Sequence, residues 1–174
     1  MPWRTRSPGS GPPVADSAEA AREAALRLLK ARDRTPRDLA RRLRDKGFEP
    51  GVVDAVVARL EEAGLLDEAA TAERLVRAEL RKAPAADRLL RSKLAAAGVG
   101  ADISERVIAE ALREVDLRDE AESLARRWLE RHRGVDPATA TRRLVGRLSR
   151  RGFGGETIRE AVDRAMRGPH PHDG

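Results

Sequence analysis

From about residue 18 to residue 167, apolar side chains recur three and four positions apart, between runs of Arg, Glu and Ala and with few β-branched residues. That period places the apolar groups along one face of a helix, and nothing in the stretch alternates as a half-buried strand would. One phrase of the pattern occurs three times, as Arg42 to Phe48, Lys93 to Val99 and Arg147 to Phe153: a base, Leu, three residues, Gly and an apolar residue. A second Leu lies one turn earlier in each copy (Leu39, Leu90, Leu144), and an Arg two residues before that (Arg37, Arg88, Arg142). An apolar pair follows each glycine in the same register: Val56-Val57, Val107-Ile108 and Ala161-Val162. Gly47, Gly98 and Gly152 are 51 and 54 residues apart, so one supersecondary unit is stacked on copies of itself.

Each copy parses as three helices. In the first, Ala18 to Arg32 carries Ala21, Ala25, Leu28 and Leu29 on one face. Thr35 as N-cap and Pro36 at the first helical position open a second helix that runs to Lys46 and stops at Gly47, with Phe48 folded back. Pro50 opens a third, bearing Val53, Val56, Val57 and Leu60, which ends near Gly64. The second copy is expected to have helices over 68–82, capped by Asp67, over 86–97, and over 102–115, capped by Asp102. The third is expected over 119–132, 137–151 and 155–167, with Asp136-Pro137 repeating the Thr35-Pro36 signal. The fold class expected is all-α: three tandem three-helix repeats forming an elongated, curved molecule with disordered termini. The domain reading is an arm over 1–15 rich in Pro, Gly and Ser, repeats over 16–66, 67–117 and 118–167, and a tail over 168–174.

Charge changes this picture by its placement. The chain of 174 residues has 35 Lys and Arg against 29 Asp and Glu, a net charge of +6, which favours an anionic partner. The excess lies on the middle helix of each copy: 35–48 nets +3, 85–99 nets +2 and 137–153 nets +5. The third helices of the copies net −2 over 50–64, −3 over 101–116 and zero over 154–167. With the paired leucines facing inward, Arg37 and Arg41, and likewise Arg143 and Arg147, are expected to point outward one turn apart. The candidate contact residues are Arg37, Arg41, Arg42, Lys46, Arg88, Arg91, Lys93, Arg142, Arg143, Arg147, Arg150 and Arg151, a basic ridge suited to phosphates or an acidic protein groove. The competing reading is internal, with basic second helices pairing against acidic third helices of neighbouring repeats.

The remaining chemistry is sparse. Cysteine is absent, which excludes disulfides and thiolate catalysis. Aromatic residues make up 2% of the chain, too few for base-stacking platforms along a single strand. No apolar run approaches the roughly 20 residues that span a bilayer, and Met1 to Pro13 lacks the apolar core of a secretory signal, so a cytoplasmic protein is expected. His170 and His172 lie near the end of the chain, His132 suits a helix C-terminus, and Trp128 falls in register with core positions. No phosphate-binding loop, dinucleotide fingerprint or nucleophile constellation occurs; neither an enzyme nor a cofactor is expected, and no metal site. The helix that follows each glycine is acidic or neutral, unlike the basic recognition helix of a helix-turn-helix DNA reader.

Three stretches together resemble the RecX regulators of the RecA recombinase. Arg32 to Leu39 with Leu43 and Lys46-Gly47-Phe48 is similar to the family's opening repeat. Gly64-Leu65-Leu66-Asp67-Glu68 with Ala72 and Arg88 to Val99 resembles its middle repeat, and Arg147 to Phe153 with Ile158 its closing repeat. Thr71 and Ala83 to Ala86 stand where the family's middle repeat usually has aromatics and a Gly-rich turn. The resemblance spans about 16–167. It implies a non-enzymatic protein, expected to be a monomer, that binds in the groove of the RecA–DNA filament, meets single- or double-stranded DNA through it, and limits recombinase, ATPase and coprotease activity. The alternative is a DNA-binding or architectural protein that acts without RecA.

Overall fold

The structure, a computed structural model, describes residues 14–167; residues 1–13 of the expected arm over 1–15, the tail over 168–174 and the two tail histidines lie outside the described residues. Among the described residues there are nine helices and no strand: α1 (Val14–Ala31), α2 (Pro36–Asp45), α3 (Pro50–Glu62), α4 (Glu68–Leu80), α5 (Asp87–Ala97), α6 (Ala101–Ala111), α7 (Leu117–Arg131), α8 (Pro137–Arg150) and α9 (Gly155–Arg167). The helix starts are set by capping chemistry. Thr35 Oγ1 accepts the Asp38 N–H at 3.1 Å and opens α2, while Asp136 Oδ1 accepts the Thr139 N–H at 2.9 Å and opens α8.

Several boundaries differ from the sequence expectation: α4 and α6 end at Leu80 and Ala111 rather than at 82 and 115, and α2, α5 and α8 differ by one residue. Three starts differ for a local reason. α1 begins at Val14, inside the stretch read as an arm, because no breaker stands between Pro13 and Ala18. α7 begins at Leu117 because Asp116 is its N-cap, accepting the N–H groups of Arg118 and Asp119. Asp102 is not a cap. α6 already starts at Ala101 after Gly100, and Gly100 N–H donates to Glu68 Oε1 at 2.7 Å, tying the start of α6 to the start of α4.

The repeated glycines end their helices in one way. Gly47, Gly98 and Gly152 have φ of 89°, 82° and 87°. In each copy the next residue turns its N–H back to the second repeated leucine: Phe48 to Leu43 O at 3.2 Å, Val99 to Leu94 O at 3.0 Å and Phe153 to Leu148 O at 3.3 Å. This is the six-to-one bond of a Schellman ending, which needs a left-handed residue where only Gly has no Cβ penalty.

Each three-helix set closes around its own leucines. Leu39 and Leu43 are fully buried with Ala21, Ala25, Val53 and Leu60 in the first. Leu90 and Leu94 are buried with Ala72, Val76 and Ile108 in the second, and Leu144 and Leu148 with Trp128, Phe153 and Val162 in the third. The described chain divides into two compact units, one ending at Asp67 and one beginning at Glu68. Within the second unit Ala86, at the foot of α5, joins the core of the third helix set, and its N–H donates to Arg151 O at 2.9 Å. Trp128 lies in that core, stacked on His132 with ring centroids 4.2 Å apart, and His132 Nδ1 lies 2.8 Å from Trp128 O at the end of α7.

Candidate functional site

The twelve basic candidates sort into those tied down within the fold and those left facing solvent. On α2, Arg41 Nη2 donates to Asp38 Oδ1 at 2.5 Å and Arg42 Nε to Asp38 Oδ2 at 3.1 Å. Arg34 Nη1 reaches the same Oδ2 at 2.8 Å, and Arg32 approaches it at 3.7 Å. Burial alone would raise the Asp38 pKa, but the hydrogen bonds from Arg34, Arg41 and Arg42 outweigh it and hold the carboxyl at about 2. Arg37 and Lys46 are exposed and make no ion pair among the described residues.

On α5, Arg91 bridges Asp87 of its own helix at 3.2 Å and Glu105 of α6 at 2.9 Å; these two hydrogen bonds raise its pKa. Arg88 Nη2 donates to Ser149 O at 3.0 Å, where α8 ends. Lys93 is exposed and unpaired among the described residues.

On α8, Arg142 is exposed and touches Thr139 Oγ1 at 3.2 Å, while Arg143 and Arg150 are exposed with no ion pair among the described residues. Two members of the expected outward ridge are corrected. Arg147 is half-buried with an Nε that has no hydrogen-bond partner; it lies one turn after the core residue Leu144 and directly before Leu148. Arg151 turns inward altogether. Its Nη1 meets Glu79 Oε1 at 2.6 Å, its Nε donates to Pro84 O at 2.8 Å, and its Nη2 donates to Ala83 O. Its side chain is 17% exposed and that of Glu79 8%, so this guanidinium is a junction between the second and third helix sets.

Several of these arginines are thus paired internally, but not as the internal reading had it, between second helices and the third helices of neighbouring repeats. The pairs with third helices are made within a repeat, by Arg44 with Asp54 at 2.8 Å and by Arg91 with Glu105. Sequence reasoning missed Asp38 and Glu79 as organisers. Asp38 was legible in part, because Arg41 and Arg42 stand three and four after it on one helical face; Arg34 reaches it from before the N-cap. Glu79 was not, because its partner is 72 residues away.

No group of three or more His, Cys, Asp or Glu that could hold a metal ion occurs among the described residues. No described helix is long and apolar enough to cross a membrane.

Comparison with known proteins agrees with this architecture. Residues 21–60 match the family profile described as RecX, first three-helix domain. The chain is 37% identical over 152 residues to "Regulatory protein RecX" of Mycobacterium leprae, covering 87% of this chain and 88% of that one. The protein of the same name from Halorhodospira halophila is 35% identical over 158 residues, covering 88% and 96%. In structure, the crystal structure of RecX from Lactobacillus salivarius matches with a TM-score of 0.72 at 18% identity, covering 87% of this chain and 98% of that one. A three-helix opening domain, relatives matched along nearly their whole length and a shared nine-helix fold lead to one conclusion: this chain belongs to the RecX family, a family of regulatory proteins rather than of enzymes.

Proposed function

We propose that this protein binds the filament that the RecA recombinase forms on DNA, and thereby restrains recombinase, ATPase and coprotease activity in DNA repair and recombination. In this reading it acts in the cytoplasm as a monomer and meets DNA through the filament. The observation that carries the reading is the set of cations left without a carboxylate on the second helices: Arg37 and Lys46 on α2, Lys93 on α5, and Arg142, Arg143 and Arg150 on α8. They stand on helices whose buried leucines and capped ends fix the backbone, so no backbone ordering is needed to present them. A polyanionic partner, whether phosphate backbone or acidic filament groove, is what such a surface complements.

The test is RecA-dependent ATP hydrolysis on single-stranded DNA, titrated with the protein at two salt concentrations. The parent should slow hydrolysis, more weakly at high salt. The variant R142E/R143E/R150E should need at least about tenfold more protein, as expected when several charge-assisted contacts of about 0.5–1 kcal/mol each become repulsive. Reversal at Glu61 and Glu62, on the acidic third helix, should leave inhibition close to the parent's. A protein that binds naked DNA tightly and never slows RecA would instead be a direct DNA-binding protein.

A further inference from the structure

Four guanidinium groups crowd one carboxylate at the start of α2. Arg34, Arg41 and Arg42 hydrogen-bond Asp38 at 2.8, 2.5 and 3.1 Å, and Arg32 completes the ring at 3.7 Å. Elsewhere in the described residues a shared carboxylate serves two cations, as Glu122 does for Arg126 and Arg164 and Glu79 for Lys82 and Arg151. One carboxylate cannot neutralise four arginines. Even if the neighbouring Asp33 is counted, an excess of two positive charges remains around Asp38.

The four arginines do not share one task. Arg34 is spent on the fold: it is 6% exposed, with Nη1 on Asp38 and Nε donating to Leu28 O at 3.1 Å. Arg32 and Arg41 are different. Their side chains are 62% and 61% exposed, and each uses a single nitrogen toward Asp38, leaving the rest of its donor fork toward solvent. The buried carboxylate thus hydrogen-bonds one exposed fork, that of Arg41, and draws a second, that of Arg32, to within 3.7 Å of its other oxygen. Guanidiniums would otherwise repel one another, and long arginine side chains lose substantial rotamer entropy when a ligand first orders them.

We propose that Arg32 and Arg41, organised by Asp38 with Arg42 beside them, form a phosphate-binding site, whose physiological occupant is a phosphodiester of a nucleic-acid backbone. A tetrahedral oxyanion offers acceptors in the planes of two guanidinium forks at once, which fits paired arginines better than a single carboxylate would. The site deepens the reading that an anionic partner meets the second helices, but it makes a separate claim, since neither Arg32 nor Asp38 belongs to the outward ridge. Its function does not require RecA to be the partner.

The experiment uses the full chain without RecA and follows the Arg side-chain Nε–H signals by NMR at constant ionic strength. Three probes are added separately: inorganic phosphate, a short oligo-dT, and a poly-glutamate peptide. Phosphate and oligo-dT should both shift the signals of Arg32 and Arg41, and poly-glutamate should shift them far less. R32Q/R41Q removes only exposed side chains and should lower oligo-dT affinity at least fivefold, with the salt slope falling by about one. R27Q/R59Q removes the same formal charge from exposed positions of the same helix set, outside both the cluster and the second helices, and should lower affinity less than twofold. Shifts with inorganic phosphate but not with oligo-dT would support the site with a free phosphate group as occupant. The proposal is overturned if neither phosphate probe moves these signals, if poly-glutamate moves them equally, or if both double variants weaken oligo-dT binding alike. Failure to slow RecA would leave all of these outcomes unchanged.

Discussion

Arg151 and Glu79 form an ion pair at 2.6 Å between the end of α8 and the end of α4, although 72 residues separate them in the chain. Lys82 holds the other oxygen of Glu79 at 3.0 Å, and the backbone oxygens of Ala83 and Pro84 take the remaining Arg151 donors. Burial pushes the Glu79 pKa upward, but the hydrogen bonds from Lys82 and Arg151 win and lower it. The second and third helix sets are thereby joined by a fully engaged guanidinium beside the apolar contact that Ala86 makes with the core of the third set.

Removing one partner of such a pair leaves buried groups unsatisfied. R151A should therefore destabilise the unit beginning at Glu68 by about 3 kcal/mol, read as a lower urea midpoint for its unfolding. E79Q should cost less, because the amide can still accept from Arg151. The two changes together should cost clearly less than their sum, since both remove the same contact. Strict additivity would mean that the junction is held by something else.

The glycines that end α2 and α8 share a backbone shape but not an environment. A Cβ at Gly47, where φ is +89°, would meet no atom within 4 Å, so G47A should cost only the backbone strain of about 1 kcal/mol. At Gly152, where φ is +87°, it would lie 2.5 Å from Leu89 N and 3.1 Å from Ala86 O, both backbone atoms of the first turn of α5 and its cap. G152A must push that turn away, and about 2–4 kcal/mol is expected. Gly51, within α3 and with open space around it, should accept Ala with no loss. Thermal unfolding of the three single variants gives the order directly.

Asp38 makes the first helix set sensitive to acid. Its folded pKa is about 2 against an ordinary 3.8, so the native state favours the ionised form. A depressed carboxylate pKa contributes stability that is present above pH 3.8 and is lost as pH falls toward about 2. The difference corresponds to about 2 kcal/mol for this largely buried group. The stability gap between parent and D38N should accordingly be wide at neutral pH and narrow progressively below pH 4, as followed by urea unfolding at each pH. A gap independent of pH would show that the arginines do not depend on the charge of Asp38.

The repeated phrase made the fold legible because its residues act locally. Leu39, Leu43 and their counterparts are buried one turn apart, and a left-handed glycine stops each helix, so spacing alone located both. Caps whose acceptor precedes the helix by one residue were legible where proline followed, at Thr35 and Asp136, and were missed at Asp116, where Leu117 gives no such signal. The charged surface was only half legible. A helical wheel marks which arginines leave the core face, but whether one then reaches solvent depends on what the neighbouring repeat presents. Arg150 and Arg151 are neighbours in sequence, yet the first is exposed and the second is enclosed by α4 and the turn after it.

That contrast separates a binding surface from a structural contact within one helix. R143E and R150E change exposed side chains that make no ion pair among the described residues, so each should alter stability by no more than about 0.5 kcal/mol. R151E places a carboxylate against Glu79 in a half-closed junction and should unfold the unit beginning at Glu68 or lower its melting temperature severely. Circular dichroism melts of the three variants should therefore show two curves overlying the parent and one displaced. Oligo-dT or filament binding should then be compared only for the two that remain folded, at two salt concentrations. Their losses should shrink as salt rises, because exposed charges are screened within roughly 8–10 Å at physiological ionic strength. If R143E or R150E melts early, its side chain carries a structural contact, and the surface available to a partner is smaller than the unpaired cations define.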